Sequence, residues 1–116
     1  MSEITIFHNA RCSNSRGALA LIREKGIEPN IVDYIATPLT APELSELIEH
    51  VGVPVRDLVR TKEALYKELG LDQPEINDVQ LVQAIAQHPV LLNRPIVVTP
   101  KGAALCRPPE KVLELL

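Results

Sequence analysis

The chain reads as an α/β protein: a β-α-β half, a block of helices and a β-β-α half, built on a mixed four-stranded sheet. Three observations predict this. Apolar runs of strand length occur at residues 4–8, 31–35, 95–99 and 103–106. A helical segment separates the first two runs, which makes them parallel partners. Only the turn Pro100-Lys101-Gly102 separates the last two, which makes them a hairpin.

Residues 4–8 alternate, as a half-buried strand does. Residues 13–25 follow as a helix with Ala18, Leu19 and Ile22 on one face and Gly26 as its stop. Thr40 with Glu43 forms a capping box, and Leu44, Leu47, Ile48 and Val51 then recur at i, i+3, i+4, i+7 until Gly52. Residues 53–71 read as short helical turns, clearest over 62–69. Asn77 with Gln80 opens another helix, with Leu81, Ala84 and Ile85 as its apolar face and Pro89 as its end. Pro108-Pro109 starts a last helix carrying Val112, Leu113 and Leu116. This is the order of the thioredoxin-like fold with a helical insertion between its halves. With 116 residues and no repeat, linker or low-complexity tract, residues 1–116 are expected to form one domain.

Apolar residues make up 46 % and aromatics 3 %, so the core must rest on Leu, Ile, Val and Ala. The net charge of −3 argues against nucleic-acid binding. No apolar stretch approaches the roughly 20 residues of a membrane span. Met1-Ser2-Glu3 runs straight into the first strand, so no signal peptide is read. Two cysteines do not make a disulfide scaffold, and a monomer of the reducing cytoplasm is expected. The cysteines and three histidines lack metal-ligand spacing, and the glycines sit at turns and helix ends rather than in a phosphate loop. No tightly bound cofactor is expected. His50 and His88 read as solvent-facing and carry no role.

Cys12 stands at the first strand-to-helix junction. Free amides and the positive end of the helix dipole point there and favour a thiolate, the reactive form. Cys12-Ser13-Asn14-Ser15 has the spacing of a redox C-x-x-C motif, with Ser15 at the second cysteine's place. The site therefore has one thiol. Ser15 either donates to the thiolate or caps the helix. His8 is either a base or positive neighbour for the thiol, or a strand-end histidine with a backbone partner. Cys106, in a presumed strand, reads as a packed core thiol.

Arg60, Arg94 and Arg107 each adjoin an apolar or proline-rich string. They are either solvated or an oxyanion cluster, since the guanidinium fork matches tetrahedral oxyanions. Arg94 and Arg107 flank the hairpin at the Cys12 end of the sheet. Arg94-Pro95 is a place for a cis bond. A phosphatase-type reductase needs an arginine after five intervening residues, and Ala18 stands there.

Ile4-Thr5-Ile6-Phe7-His8-Asn9 with Cys12-Ser13-Asn14-Ser15-Arg16 resembles the opening of the glutaredoxin-coupled arsenate reductase (ArsC) family. Asn93-Arg94-Pro95-Ile96-Val97-Val98 and Cys106-Arg107-Pro108 resemble its later signature, and Val55-Arg56-Asp57-Leu58-Val59-Arg60 the segment with its first arginine. The resemblance implies Cys12 as nucleophile, Arg60, Arg94 and Arg107 as oxyanion ligands, and His8 as the histidine linked to thiol activation. It implies arsenate as substrate, glutathione as co-substrate and glutaredoxin as partner. Because the chain ends at Leu116, without the further tail of plasmid-type members, it resembles the shorter chromosomal branch. Two alternatives accompany this reading: a glutathione-linked thiol oxidoreductase with another substrate, and a non-enzymatic polymerase-binding regulator of the same superfamily. Those regulators typically carry a second cysteine where this chain has Ser15.

Overall fold

The computed structural model describes residues 3–116; Met1 and Ser2, part of the N-terminal reading, lie outside the described residues. The chain forms two compact units. The first runs to Thr37 and resumes at Arg94, and the second is Pro38–Asn93.

The first unit contains strand β1 (Thr5–His8), helix α1 (Ser13–Glu24), β2 (Asn30–Asp33), β3 (Ile96–Thr99), β4 (Gly102–Leu105) and a 3-10 helix over Pro109–Leu115. The sheet order is β2-β1-β3-β4. β1 pairs parallel with β2 and antiparallel with β3, and β3 pairs antiparallel with β4. This is the mixed four-stranded sheet expected of a thioredoxin-like fold. Ile6 and Val97, partners at the sheet centre, are fully buried. They join Ile4, Ala18, Leu19, Ile22, Cys106 and Val112 in one apolar cluster between the sheet, α1 and the last segment.

Beyond shifts of one residue at element ends, three differences from the sequence reading have local reasons. β2 stops at Asp33 because its carboxylate accepts the N–H groups of Ile35 (3.0 Å) and Ala36 (3.1 Å), which turns the chain away from the sheet. The final helix is 3-10 rather than α. Its three-residue period aligns Val112 with Leu115 and leaves Leu113 43 % exposed. Cys106 lies one residue beyond β4, although its N–H still bonds Pro95 O at 2.9 Å.

The second unit holds α2 (Ala41–Val51), a 3-10 turn (Val55–Leu58), α3 (Ala64–Glu68), α4 (Asp78–Gln87) and a 3-10 turn (Pro89–Leu91). Both expected capping boxes form, Thr40 with Glu43 and Asn77 with Gln80. Gly52 ends α2 at φ +76°, a left-handed conformation that glycine takes without steric cost. α4 packs on α2 and on both 3-10 turns. Its buried stripe is Leu81, Val82 and Ile85, so Val82 takes the place expected of Ala84. Arg56 ties this unit together. Its guanidinium donates to Tyr66 Oη (3.1 Å), Leu71 O (3.0 Å), Gln73 O (3.1 Å) and Ile76 O (3.1 Å).

Candidate active site

Strand pairing decides what meets at one end of the first unit. Phe7 near the end of β1 pairs with Ile96, and Ile96 pairs with Leu105. Arg94 precedes β3 and Arg107 follows β4, so the hairpin brings both to the end where β1 runs out toward Cys12.

The loop after β1 is tied down by its own polar groups. Cys12 N–H donates to Asn9 O at 3.0 Å, Arg11 N–H to Asn9 Oδ1 at 3.0 Å, and Arg16 Nη1 to Ala10 O at 2.8 Å. Cys12 is then the N-cap of α1, with extended backbone and no side-chain capping bond. Its carbonyl already accepts the N–H of Arg16, so the sulfur stands at the helix start without being used to close it.

Arg107 Nη1 lies 3.9 Å from Cys12 Sγ and also donates to Arg94 O at 3.0 Å. That second bond fixes the direction of the guanidinium. Arg94 Nε is buried and has no hydrogen-bond partner among the described residues. A buried charged donor is satisfied by an ordered water or by an anion, and an oxyanion is one group that serves it. Arg107 is thus brought to Cys12, and its bond to the Arg94 carbonyl ties together the two segments that flank the hairpin. Arg94-Pro95, open to either isomer in the sequence, is cis, and Arg107-Pro108 is cis as well.

His8 and Ser15 form a second pair. Ser15 Oγ, fully buried, lies 2.6 Å from His8 Nδ1 and accepts the N–H of Asn9 at 3.1 Å. The partner of His8 is therefore a side-chain hydroxyl, not a backbone group, and Ser15 does not cap α1. Burial lowers His8 below its ordinary value; Asp33 opposes this, while Arg23 and Arg16 add to it. Ser15 has one proton. It serves His8 when Nδ1 accepts, and is free for another acceptor when Nδ1 carries the hydrogen.

Arg60 belongs to the second unit. Its N–H donates to Leu91 O at 2.7 Å, beside an isolated bridge between Val59 and Leu92, and Asn93 N–H returns a bond to Leu58 O at 2.8 Å. Its guanidinium pairs with Glu63, Nη1 to Oε2 at 3.0 Å. Cys106 is fully exposure-free in the apolar cluster, and burial pushes its thiol up to about 11. Among the described residues no three His, Cys, Asp or Glu side chains come together as a metal site.

Two residues escaped the sequence reading. Asn9 orders the loop through its carbonyl, amide and side chain; an Asn two residues before a turn amide is a known turn signal. Glu63 was legible only as an opposite charge three residues after Arg60.

The family model of the ArsC family matches residues 7–115. The chain is 51% identical over 116 residues to an arsenate reductase of Escherichia coli K12, covering 100% of this chain and 82% of that one. It is 47% identical to an arsenate reductase of Neisseria meningitidis, with 100% of both covered. Among solved structures, an arsenate reductase from Vibrio cholerae superposes with a TM-score of 0.94 at 45% identity, covering 97% of each chain.

Proposed function

The chain belongs to the ArsC family, and from that premise we propose that it reduces arsenate to arsenite through a Cys12 thiolate. The observation that carries this is Arg107 Nη1 at 3.9 Å from Cys12 Sγ and tied at 3.0 Å to the Arg94 carbonyl, next to an Arg94 Nε that is buried with no partner among the described residues. An oxyanion there gives Arg94 its acceptor and lies against the nucleophile. The relatives' name as arsenate reductases supports arsenate as that oxyanion.

In the proposed reaction Cys12 sulfur attacks arsenic, a sulfur–arsenic bond forms, and one protonated oxygen leaves as water. Arg94 and Arg107, with Arg60 as third ligand on the family's pattern, orient the anion and stabilise its developing charge. His8 and Ser15 act on the thiol: with hydrogen on Nδ1, the Ser15 hydroxyl can donate to the thiolate. The glutathione thiolate then attacks Cys12 sulfur; a sulfur–sulfur bond forms, the sulfur–arsenic bond breaks, and arsenic leaves with its electron pair as arsenite. The two electrons that take arsenic from its +5 to its +3 state come from two thiols, whose sulfurs end as a mixed disulfide on Cys12. Glutaredoxin reduces that disulfide. The need for reduced glutathione sets the reaction in the cytoplasm.

Steady-state reduction of arsenate with glutathione and glutaredoxin tests the reading. Arsenite should form in proportion to enzyme, and a glutathione adduct of Cys12 should appear by mass when glutaredoxin is left out. Absence of arsenite, or an intramolecular Cys12–Cys106 disulfide in its place, overturns it. The two sulfurs belong to different surroundings, and a disulfide needs Cα atoms within about 7 Å.

A further inference from the structure

His8 and Asp33 are neighbours across the parallel ladder of β1 and β2. Residues paired in this way project to the same face of the sheet, with their backbones about 4.8 Å apart. On that face His8 Nδ1 meets Ser15 Oγ of α1 at 2.6 Å. The Asp33 carboxylate is held by its own turn, where Oδ1 accepts the N–H groups of Ile35 at 3.0 Å and Ala36 at 3.1 Å. The other charged groups around His8 come from α1: Arg16, Arg23 and Glu24 line one hollow with it. Strand β3, the second neighbour of β1, carries no charged residue over Ile96–Thr99. Arg23 is committed to Glu28 through two bonds of 2.9 Å, and Arg16 donates to Ala10 O at 2.8 Å. Burial disfavours a proton on His8; Asp33 opposes this, and Arg23 and Arg16 reinforce it.

We propose that Asp33 is a positioning residue for the Cys12 thiol, acting through His8: from the neighbouring strand its negative charge supports the imidazolium that forms when His8 takes the proton of the thiol. This rests on the reading of His8 as a group that acts on Cys12. The proton that leaves the sulfur is the one His8 gains. A neutral thiol and a neutral imidazole become a thiolate and an imidazolium, with no change in net charge. A carboxylate beside the imidazole favours that charge-separated form. The action is that of a charge rather than a bond, since Oδ1 is taken by the turn and Nδ1 by Ser15. A nucleophile, a base and a third group that steadies the base make the logic of hydrolytic triads, where the carboxylate likewise supports the imidazolium without taking its proton. Asp33 touches no reacting atom, so it is not a catalytic residue.

The test is a histidine NMR titration of the full chain, with the His8 signal assigned by its loss in His8→Gln, beside iodoacetamide labelling of Cys12 over the same pH range. Asp33→Asn keeps Oδ1 as an acceptor, and with it the turn, and removes the charge. It should lower the His8 midpoint by about half to one pH unit, the effect of one charge on an adjacent strand. The step in the Cys12 labelling profile that His8→Gln abolishes should move to lower pH by the same amount. Asp33→Glu keeps the charge but displaces the turn acceptor, and should stay nearer to wild type than Asp33→Asn does. A purely structural role predicts the reverse order. In the His8→Gln background, Asp33→Asn should leave the labelling profile unchanged. A His8 midpoint that is unchanged or raised in Asp33→Asn overturns the role of Asp33 and leaves that of His8 standing. So does an Asp33→Asn effect on labelling that persists in full without His8. If His8→Gln itself leaves the labelling profile as it was, His8 does not act on the thiol and both readings fall.

Discussion

Cys12 and Cys106 share one unit and are both nearly closed to solvent, at 7 % and 0 % exposure, yet their sulfurs meet opposite surroundings. Cys12 stands at a helix start with an arginine Nη1 at 3.9 Å. Cys106 sits among aliphatic side chains, with a long polar contact to Ala104 O at 3.7 Å, and burial pushes it up to about 11. Burial alone does not decide whether a thiol reacts. What decides is whether the groups that exclude water also replace it as stabilisers of negative charge. At Cys12, standing at a helix start, they include a guanidinium; at Cys106 they are aliphatic side chains.

The largest test of that contrast is removal of each sulfur. Cys12→Ser should reduce arsenate turnover to background, because a serine hydroxyl is not ionised at neutral pH. Cys106→Ala should keep turnover within about twofold and cost about 1–2 kcal/mol of stability in urea unfolding, as a small core truncation does. Equal loss of turnover in the two variants would erase the distinction. Alkylation sharpens it without mutation. At pH 7 a thiol at about 11 is ionised in about one molecule in ten thousand, so iodoacetamide should label Cys12 at least about a hundredfold faster than Cys106. Similar rates, read by mass spectrometry of peptides, would break the comparison.

A smaller effect is expected at the guanidinium. Arg107→Lys keeps the charge but loses the planar guanidinium, whose Nη1 contacts both Cys12 Sγ and Arg94 O and whose other donors are left for an anion, and should lower kcat/KM for arsenate about 10- to 100-fold. Wild-type kinetics would mean that charge alone suffices. The smallest effect concerns His8. Burial lowers it, so below about 6.5 the unfolded chain takes up a proton that the folded chain resists. The stability contributed by neutral His8 is complete above that pH and falls as pH drops through it. His8→Gln should flatten this fall in urea midpoints measured between about pH 7 and 5; an unchanged slope would show that His8 titrates alike folded and unfolded.

Much of this was legible because it is local. A capping box spans three residues, and both boxes formed as read, at Thr40 and at Asn77. The four strands were legible from apolar runs, and the place of Cys12 from the junction between two of them. What escaped depends on geometry that closes across the chain. Asn9 and Ser15 meet because the loop folds back on the first turn of α1, and periodicity does not encode that. Whether Ser15 faces a thiol or a histidine depends on the same fold-back. Leu113 was misassigned because an α period and a 3-10 period diverge within one turn, and proline-rich starts fit both. The charge neighbourhood of Arg60 was readable in principle, but an i,i+3 opposite charge occurs in many turns that never close.

Small domains often rely on a zinc ion or a disulfide to hold irregular chain in place. Arg56 does this with one side chain: it gathers a tyrosine hydroxyl and three carbonyls from a stretch lacking regular structure over residues 71–76. Unlike a thiol cross-link it survives reductants, unlike a metal it survives chelators, and a guanidinium keeps its proton across the whole physiological pH range. For a protein read as handling both glutathione and a thiol-seeking arsenic product, a staple without sulfur or metal is one that its own reaction cannot undo.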